Sequence, residues 1–255
     1  MSTSWYRRPH AIAEALALLA RPANVVLAGG TSLNARPGAD EFALVDLQAL
    51  GLEGIARHGD DELVIGAMTT LQQIADHEAV PPVVREAARR ELPSTLRAQA
   101  TLGGCVATAE YDCELLATLL AYDAVVRLAT PAAESEVRLE DLFGRRPLAR
   151  GEIITALSID PRGNGAAART GRTPADRPIV AAVVRELDGE RRLALAGVAA
   201  TPLLVAVAAT TADGAAEVEI ALHRLAPPGD FRGSSEYRSH LAAVLGARAL
   251  EAVQR

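Results

Sequence analysis

A mixed fold of helices and strands is what the sequence predicts, on three observations. Apolar runs of strand length alternate with helical apolar stripes along most of the chain. Two apolar runs flank Asp188-Gly189, a dipeptide that favours a tight hairpin. Two helical stretches then close the sequence, so the last third reads as an antiparallel hairpin with helices packed on it.

The elements follow in order. His10 to Ala20 has helical spacing, and Pro22 ends it. "NVVLAGG" is a short buried strand ending at Gly29, and Phe42 to Leu50 is a second strand with Asp46 near its end. Trp5 and Tyr6, just ahead of the first helix, read as an aromatic staple at the chain start. Glu62 to Thr70 is a strand that runs into polar residues, with Thr69 or Thr70 placed to cap the next helix. "PPVVREAARRE" opens on prolines suited to a first helical turn. Residues 92–112 are rich in small side chains and have no clean period. "CELLATLLAYDA" is helical again, followed by strands over Ala124 to Ala129 and Glu152 to Asp160. Pro161 to Pro178 is rich in Gly, Pro, Ala and Arg and reads as a linker or mobile loop. Ile179 to Leu187 and Arg191 to Ala199 form the hairpin, and the helices cover Gly214 to Leu225 and Ser234 to Val253.

Composition narrows the function. The 255 residues suffice for one large core or two smaller ones. A net charge of −6 argues against nucleic acid, which calls for a basic face. All 26 basic residues are arginine, so no lysine Schiff base or lysine general base is available. Cys105 and Cys113 are too few for a four-cysteine cluster, and their spacing is not that of a redox or zinc pair. The five histidines have no partner at metal-ligand spacing, and no apolar run reaches membrane-spanning length. A cytoplasmic protein with reduced thiols is the expectation.

The chain has two Gly-Gly pairs, in "AGGTS" (Ala28 to Ser32) and "TLGGC" (Thr101 to Cys105). Each is either an ordinary turn or an anion cradle. Glycines let several backbone N–H groups converge on one anion, and Thr31, Ser32 and Thr101 add hydroxyl donors. Neither loop has the Walker or Rossmann pattern. Asp112 and Glu114 stand after the second loop. Asp112 is placed to cap the following helix, and either acid is also placed to accept from a ribose hydroxyl. Ser32 has no neighbouring base, so a hydrolase triad is not indicated.

Taken together, "WYRRPHAIAEALALLA", "VLAGGTSLN", "FALVDLQAL", "LVIGAMTTLQQIA", "RAQATLGGCVATA" and "LLATLLAYDAVVRLA" resemble the FAD-binding medium subunit of the molybdenum hydroxylases. That family includes xanthine dehydrogenase and aerobic carbon monoxide dehydrogenase. "AGVAATPLLV" and "PPGDFRGSSEYRSHLAAVLGARAL" resemble its C-terminal domain, so the likeness covers nearly the whole chain. It implies an α+β fold: a two-subdomain FAD-binding domain of the PCMH type over 1–165, split near 55, then a linker or mobile loop over 166–178. A small α+β C-terminal domain over 179–255 follows. It implies that Ala28, Gly29, Gly30, Thr31, Ser32 and Leu33 hold one side of the FAD pyrophosphate. Thr101, Leu102, Gly103, Gly104 and Cys105 hold the other. The family's asparagine, proline and aspartate after the second loop fall here at Thr108, Tyr111 and Glu114, and Thr108 and Glu114 join the expected site.

The function implied is electron transfer. A molybdopterin-binding large subunit hydroxylates the substrate, and a 2Fe-2S small subunit relays electrons to FAD on this chain and on to an external acceptor. No catalytic side chain, metal, nucleic acid or membrane span is expected here. Two other readings stay open: a stand-alone flavin-dependent oxidoreductase, and a non-catalytic scaffold that has lost FAD.

Overall fold

The computed structural model describes residues 3–34, 42–145, 148–173 and 176–254. The first sheet is parallel, in the order β1-β3-β2: β1 (Thr3–Arg7), β2 (Asn24–Leu27) and β3 (Phe42–Asp46). Helix α1 (Ile12–Leu19) covers it, packing Ala15, Leu16 and Leu19 against Val45 and Leu47. Trp5 and Tyr6 lie within β1 rather than acting as a staple. The local pattern around these two aromatics is too short to reveal a strand, because β1 exists only through its pairing with the distant β3. The Tyr6 hydroxyl donates to the Asp46 carboxylate at the end of β3.

The second sheet is antiparallel, in the order β4-β5-β8-β6-β7. Its strands are β4 (Ile55–His58), β5 (Glu62–Gly66), β6 (Val125–Ala129), β7 (Glu134–Arg138) and β8 (Ile153–Ile159). Between β5 and β6 run α3 (Leu71–Asp76), α4 (Pro82–Glu91), α5 (Ser94–Arg97), α6 (Leu102–Thr108) and α7 (Glu114–Ala121). The short α2 (Thr31–Asn34) follows β2, and α8 (Leu139–Gly144) follows β7. Thr70 starts α3 with a full capping box: its hydroxyl accepts from Gln73, whose side chain accepts from the Thr70 N–H.

The third sheet, β12-β11-β10-β9, is antiparallel. It comprises β9 (Asn164–Thr170), β10 (Val180–Leu187), β11 (Glu190–Ala196) and β12 (Leu203–Ala209), with α9 (Ala212–His223) and α10 (Ser235–Val253) on one face. Asp188 (φ 51°) and Gly189 (φ 81°) both adopt the left-handed backbone of the expected hairpin turn. Helix α7 takes the other face, so β10 is buried on both sides. Ala181 and Val183 join the α7 core, while Val180, Ala182 and Val184 join the core under α10. This explains an unbroken apolar run in an antiparallel strand.

The linker reading of 161–178 is corrected in part: Asn164–Thr170 is a strand that pairs along β10. Alanine hides the alternation. Ala167 packs toward α7, and Ala166 and Ala168 pack toward α10, but one residue type on both faces shows no period. A Cβ at Gly165 would lie 2.6 Å from the Tyr122 hydroxyl, so the closest approach demands glycine.

Candidate functional site

The two Gly-Gly segments meet where the first sheet abuts the second. Strand β2 carries the chain into Ala28–Ser32, Gly30 turns it at φ 73°, and Thr31 opens α2. Among the described residues, no hydrogen bond uses the backbone N–H of Gly30, Thr31 or Ser32. These are the unfilled donors of a helix start. Ser32 is exposed and Thr31 and Leu33 are half-buried. A Cβ on Gly29 would fall 1.9 Å from the Gln99 carbonyl oxygen and 3.1 Å from the Ala100 Cα. The first segment therefore touches, at Gly29, the backbone of Gln99 and Ala100 that leads directly into the second.

The second segment is built differently from the first. The Thr101 hydroxyl caps α6 by accepting from the Gly104 N–H at 3.2 Å. The Leu102 N–H donates to the Thr69 carbonyl (3.0 Å), the Gly103 N–H to Ala67 (2.8 Å) and the Cys105 N–H to Thr101 (3.0 Å). Both loops were expected to offer backbone N–H groups, yet in the second loop those of Leu102 and Gly103 are spent on the turn after β5 and those of Gly104 and Cys105 on Thr101. What it leaves open is the hydroxyl proton of Thr101 and a surface without side chains at Gly103 and Gly104. Ala28, Gly103 and Gly104 share one apolar cavity of about 80 Å³ with Met68, Leu148 and Ile154.

The remaining expected residues divide. The Thr108 hydroxyl donates to the Cys105 carbonyl (3.1 Å) and closes the last turn of α6. Burial pushes the Cys105 thiol up to about 12, with the Glu91 charge adding to it, so Cys105 is a neutral thiol at physiological pH. Glu114 does not join the glycine loops. It is buried at the start of α7, facing Arg90 of α4 (3.4 Å) and Arg169 of β9 (3.1 Å), so its carboxyl is engaged there; burial raises its pKa and the two arginines offset only part of that. Asp112 is not the cap of α7; the Cys113 sulfur accepts from the Leu116 N–H instead. Asp112 pairs with Arg177 (3.2 Å) and Arg232 (2.7 Å).

Sequence reading missed what lies behind α6. Tyr111 and Asp112 contact Asp230 and Arg232, more than a hundred residues away, and local patterning carries no signal for such contacts. Glu91 is buried beside them, with Arg177 at 2.9 Å. Burial raises it to about 7, and the Arg177 charge offsets only part of that cost. A carboxyl raised in the folded state costs nothing while protonated. The cost grows as pH climbs from the ordinary carboxylate range to about 7. Glu91→Gln is expected to gain about 2 kcal/mol over wild type at about pH 8 and nothing at about pH 4, in thermal melts across that range.

Among the described residues, no group of three His, Cys, Asp or Glu is placed to hold a metal ion, and no helix is long and apolar enough to cross a membrane.

The family described as "FAD binding domain in molybdopterin dehydrogenase" matches residues 1–161. The carbon monoxide dehydrogenase medium chain of Afipia carboxidovorans is 33% identical over 96% of this chain and 95% of that protein. The carbon monoxide dehydrogenase structure from Hydrogenophaga pseudoflava, at 25% identity, superposes with a TM-score of 0.89 over 99% of this chain and 98% of that one. Quinoline 2-oxidoreductase from Pseudomonas putida 86, at 23% identity, shares the fold with a TM-score of 0.87, covering 100% of this chain and 98% of that one.

Proposed function

The chain belongs to the family of FAD-binding domains of molybdopterin dehydrogenases, and from that premise we propose that it is the FAD-carrying electron-transfer subunit of a molybdenum hydroxylase. The observation that carries this is the contact at Gly29, which sets a loop with uncommitted N–H groups against the backbone that leads into a second loop bare of side chains at Gly103 and Gly104. That pairing fits a diphosphate. The N–H groups of Gly30, Thr31 and Ser32 and the hydroxyls of Thr31, Ser32 and Thr101 are its donors. Ala28, Gly29, Leu33, Leu102, Gly103, Gly104, Cys105 and Thr108 set the shape around them. Glu114 is left out, because its carboxyl faces Arg90 and Arg169 instead.

When bound, FAD supplies exchange between one-electron iron–sulfur donors and an external acceptor. The chain's own residues bind and orient it. Substrate hydroxylation belongs to a molybdopterin-binding large subunit, and a 2Fe-2S small subunit delivers the electrons. Similarity to a medium chain along nearly the whole length favours this over a stand-alone flavoenzyme or a scaffold.

The test is the visible absorption spectrum of the purified chain, with identification of any flavin released on denaturation. The expected result is FAD at about one per chain. A colourless protein that takes up no added FAD sinks the reading.

A further inference from the structure

We propose that the turn between α6 and α7 is a latch through which the C-terminal sheet and helices hold the second glycine loop in its flavin-binding position, with Tyr111 and Arg232 as positioning residues. The proposal rests on the flavin reading above and goes beyond it, since it assigns a role in cofactor binding to residues outside both loops.

The latch is a set of short contacts on a four-residue turn. Helix α6 ends at Ala109 with a left-handed backbone (φ 42°), and the Cys113 N–H donates to the Glu110 carbonyl at 3.1 Å. Tyr111 and Asp112 form the tip of this turn. The Tyr111 hydroxyl donates to Asp230 Oδ2 at 2.7 Å and accepts from Arg232. Asp112 accepts from Arg232 at 2.7 Å and from Arg177 at 3.2 Å. The Tyr111 carbonyl accepts from the Gly197 N–H at 2.7 Å, just past the end of β11. The Arg232 and Arg238 guanidinium carbons sit 5.4 and 5.7 Å from the Tyr111 ring centre.

The far side of the latch is itself rigid. Asp230 and Gly233 exchange backbone hydrogen bonds of 3.0 and 3.2 Å, and Asp230 Oδ1 accepts from the Arg232 N–H (2.8 Å). Buried Arg238 donates to Asp230, to the Ile179 carbonyl and to the Gly197 carbonyl. A rigid turn is thus clamped to a second rigid turn. Helix α6 is only seven residues long and starts with Leu102-Gly103-Gly104, so its own propensity does not fix it. The Leu102 and Gly103 N–H groups already tie its N-terminal end to the turn after β5, so what the anchor at its C-terminal end adds is the tilt of the helix, which sets how the second loop faces the first. A loosened loop reaches its binding position in a smaller fraction of molecules, and apparent affinity falls by that fraction.

The test titrates FAD into flavin-free wild type, Tyr111→Phe and Arg232→Gln, reading flavin fluorescence and the visible circular dichroism of the bound flavin. Melting temperature is recorded for each. Arg127→Gln, which loses the Glu62 and Glu136 pairs on the second sheet, is the control for general destabilisation. The expected result is a roughly tenfold rise in Kd for each latch variant, the effect of one charge-assisted hydrogen bond. It comes with an altered flavin dichroism and wild-type affinity in Arg127→Gln. Wild-type affinity in both latch variants, or an equal loss in Arg127→Gln, overturns the latch alone. A wild-type chain that binds no FAD overturns the flavin reading, and the latch with it.

Discussion

Gly29→Ala is expected to separate the two glycine loops and abolish FAD binding, with a loss of about 3 kcal/mol or more in stability. The new methyl would stand 1.9 Å from the Gln99 carbonyl oxygen and 2.7 Å from its carbon. Both partners are backbone, so no rotamer change relieves the overlap. The Gln99 segment has little room to retreat. Its N–H donates to Leu96 at 3.0 Å, and the neighbouring Ala100 uses its own N–H on Leu96 (2.8 Å) and its carbonyl on Leu71 (2.9 Å). Moving it strains α5 and the start of α3 together. Gly51→Ala is the matched control. It has a left-handed backbone (φ +69°) but nothing within 4 Å of a new Cβ. It should lose only the backbone strain, about 1–2 kcal/mol, and keep its flavin. Thermal melts and released flavin per chain read both variants. If Gly29→Ala retains wild-type flavin, the contact between the loops is not what builds the site.

Much of the fold was legible where local chemistry decides it. The capping box at Thr70, the prolines at the start of α4 and the Asp188-Gly189 turn are each set by a few neighbouring residues. The Gly-Gly pairs were visible too, as positions where side chains are excluded. What they exclude was not. Gly29 avoids the backbone of Gln99, seventy residues on, and Gly103 sits with its would-be Cβ 2.9 Å from the Ala67 methyl. The same pattern of residues thus serves loop packing and, in the reading above, the cofactor. Strand β9 was hidden because alanine suits both faces of a sheet. The ion pairs behind α6 were hidden because arginine and aspartate at distant positions carry no mutual signal. Tyr111 shows the limit well: placed by resemblance where a proline is usual, it meets Asp230 through its hydroxyl, a partner that only the fold supplies.

Arg238→Ala is expected to cost about 3–5 kcal/mol. Arg238 is 1% exposed. Its guanidinium donates to Asp230 at 2.7 Å and to the Ile179 and Gly197 carbonyls at 2.6 and 2.8 Å. Truncation leaves all three acceptors short of a donor. Arg238→Met keeps the stem volume and should lose less, and adding Asp230→Asn should recover part of the remainder by removing the unmatched charge. The effect depends on pH in a defined direction. The Tyr111 hydroxyl, with Arg238 and the Arg232 N–H, holds the Asp230 carboxyl well below the usual carboxylate range. Stability gained from a depressed carboxylate is complete above its unfolded pKa and is lost as pH falls below it. The gap between wild type and Arg238→Ala should therefore be widest at neutral pH and narrow below about pH 4. Denaturant melts at neutral and acid pH measure it. A gap that stays constant would mean that Arg238 acts through packing and its bonds to the Ile179 and Gly197 carbonyls, and that the charge it shares with Asp230 does not hold the C-terminal helices to the turn behind the glycine loop.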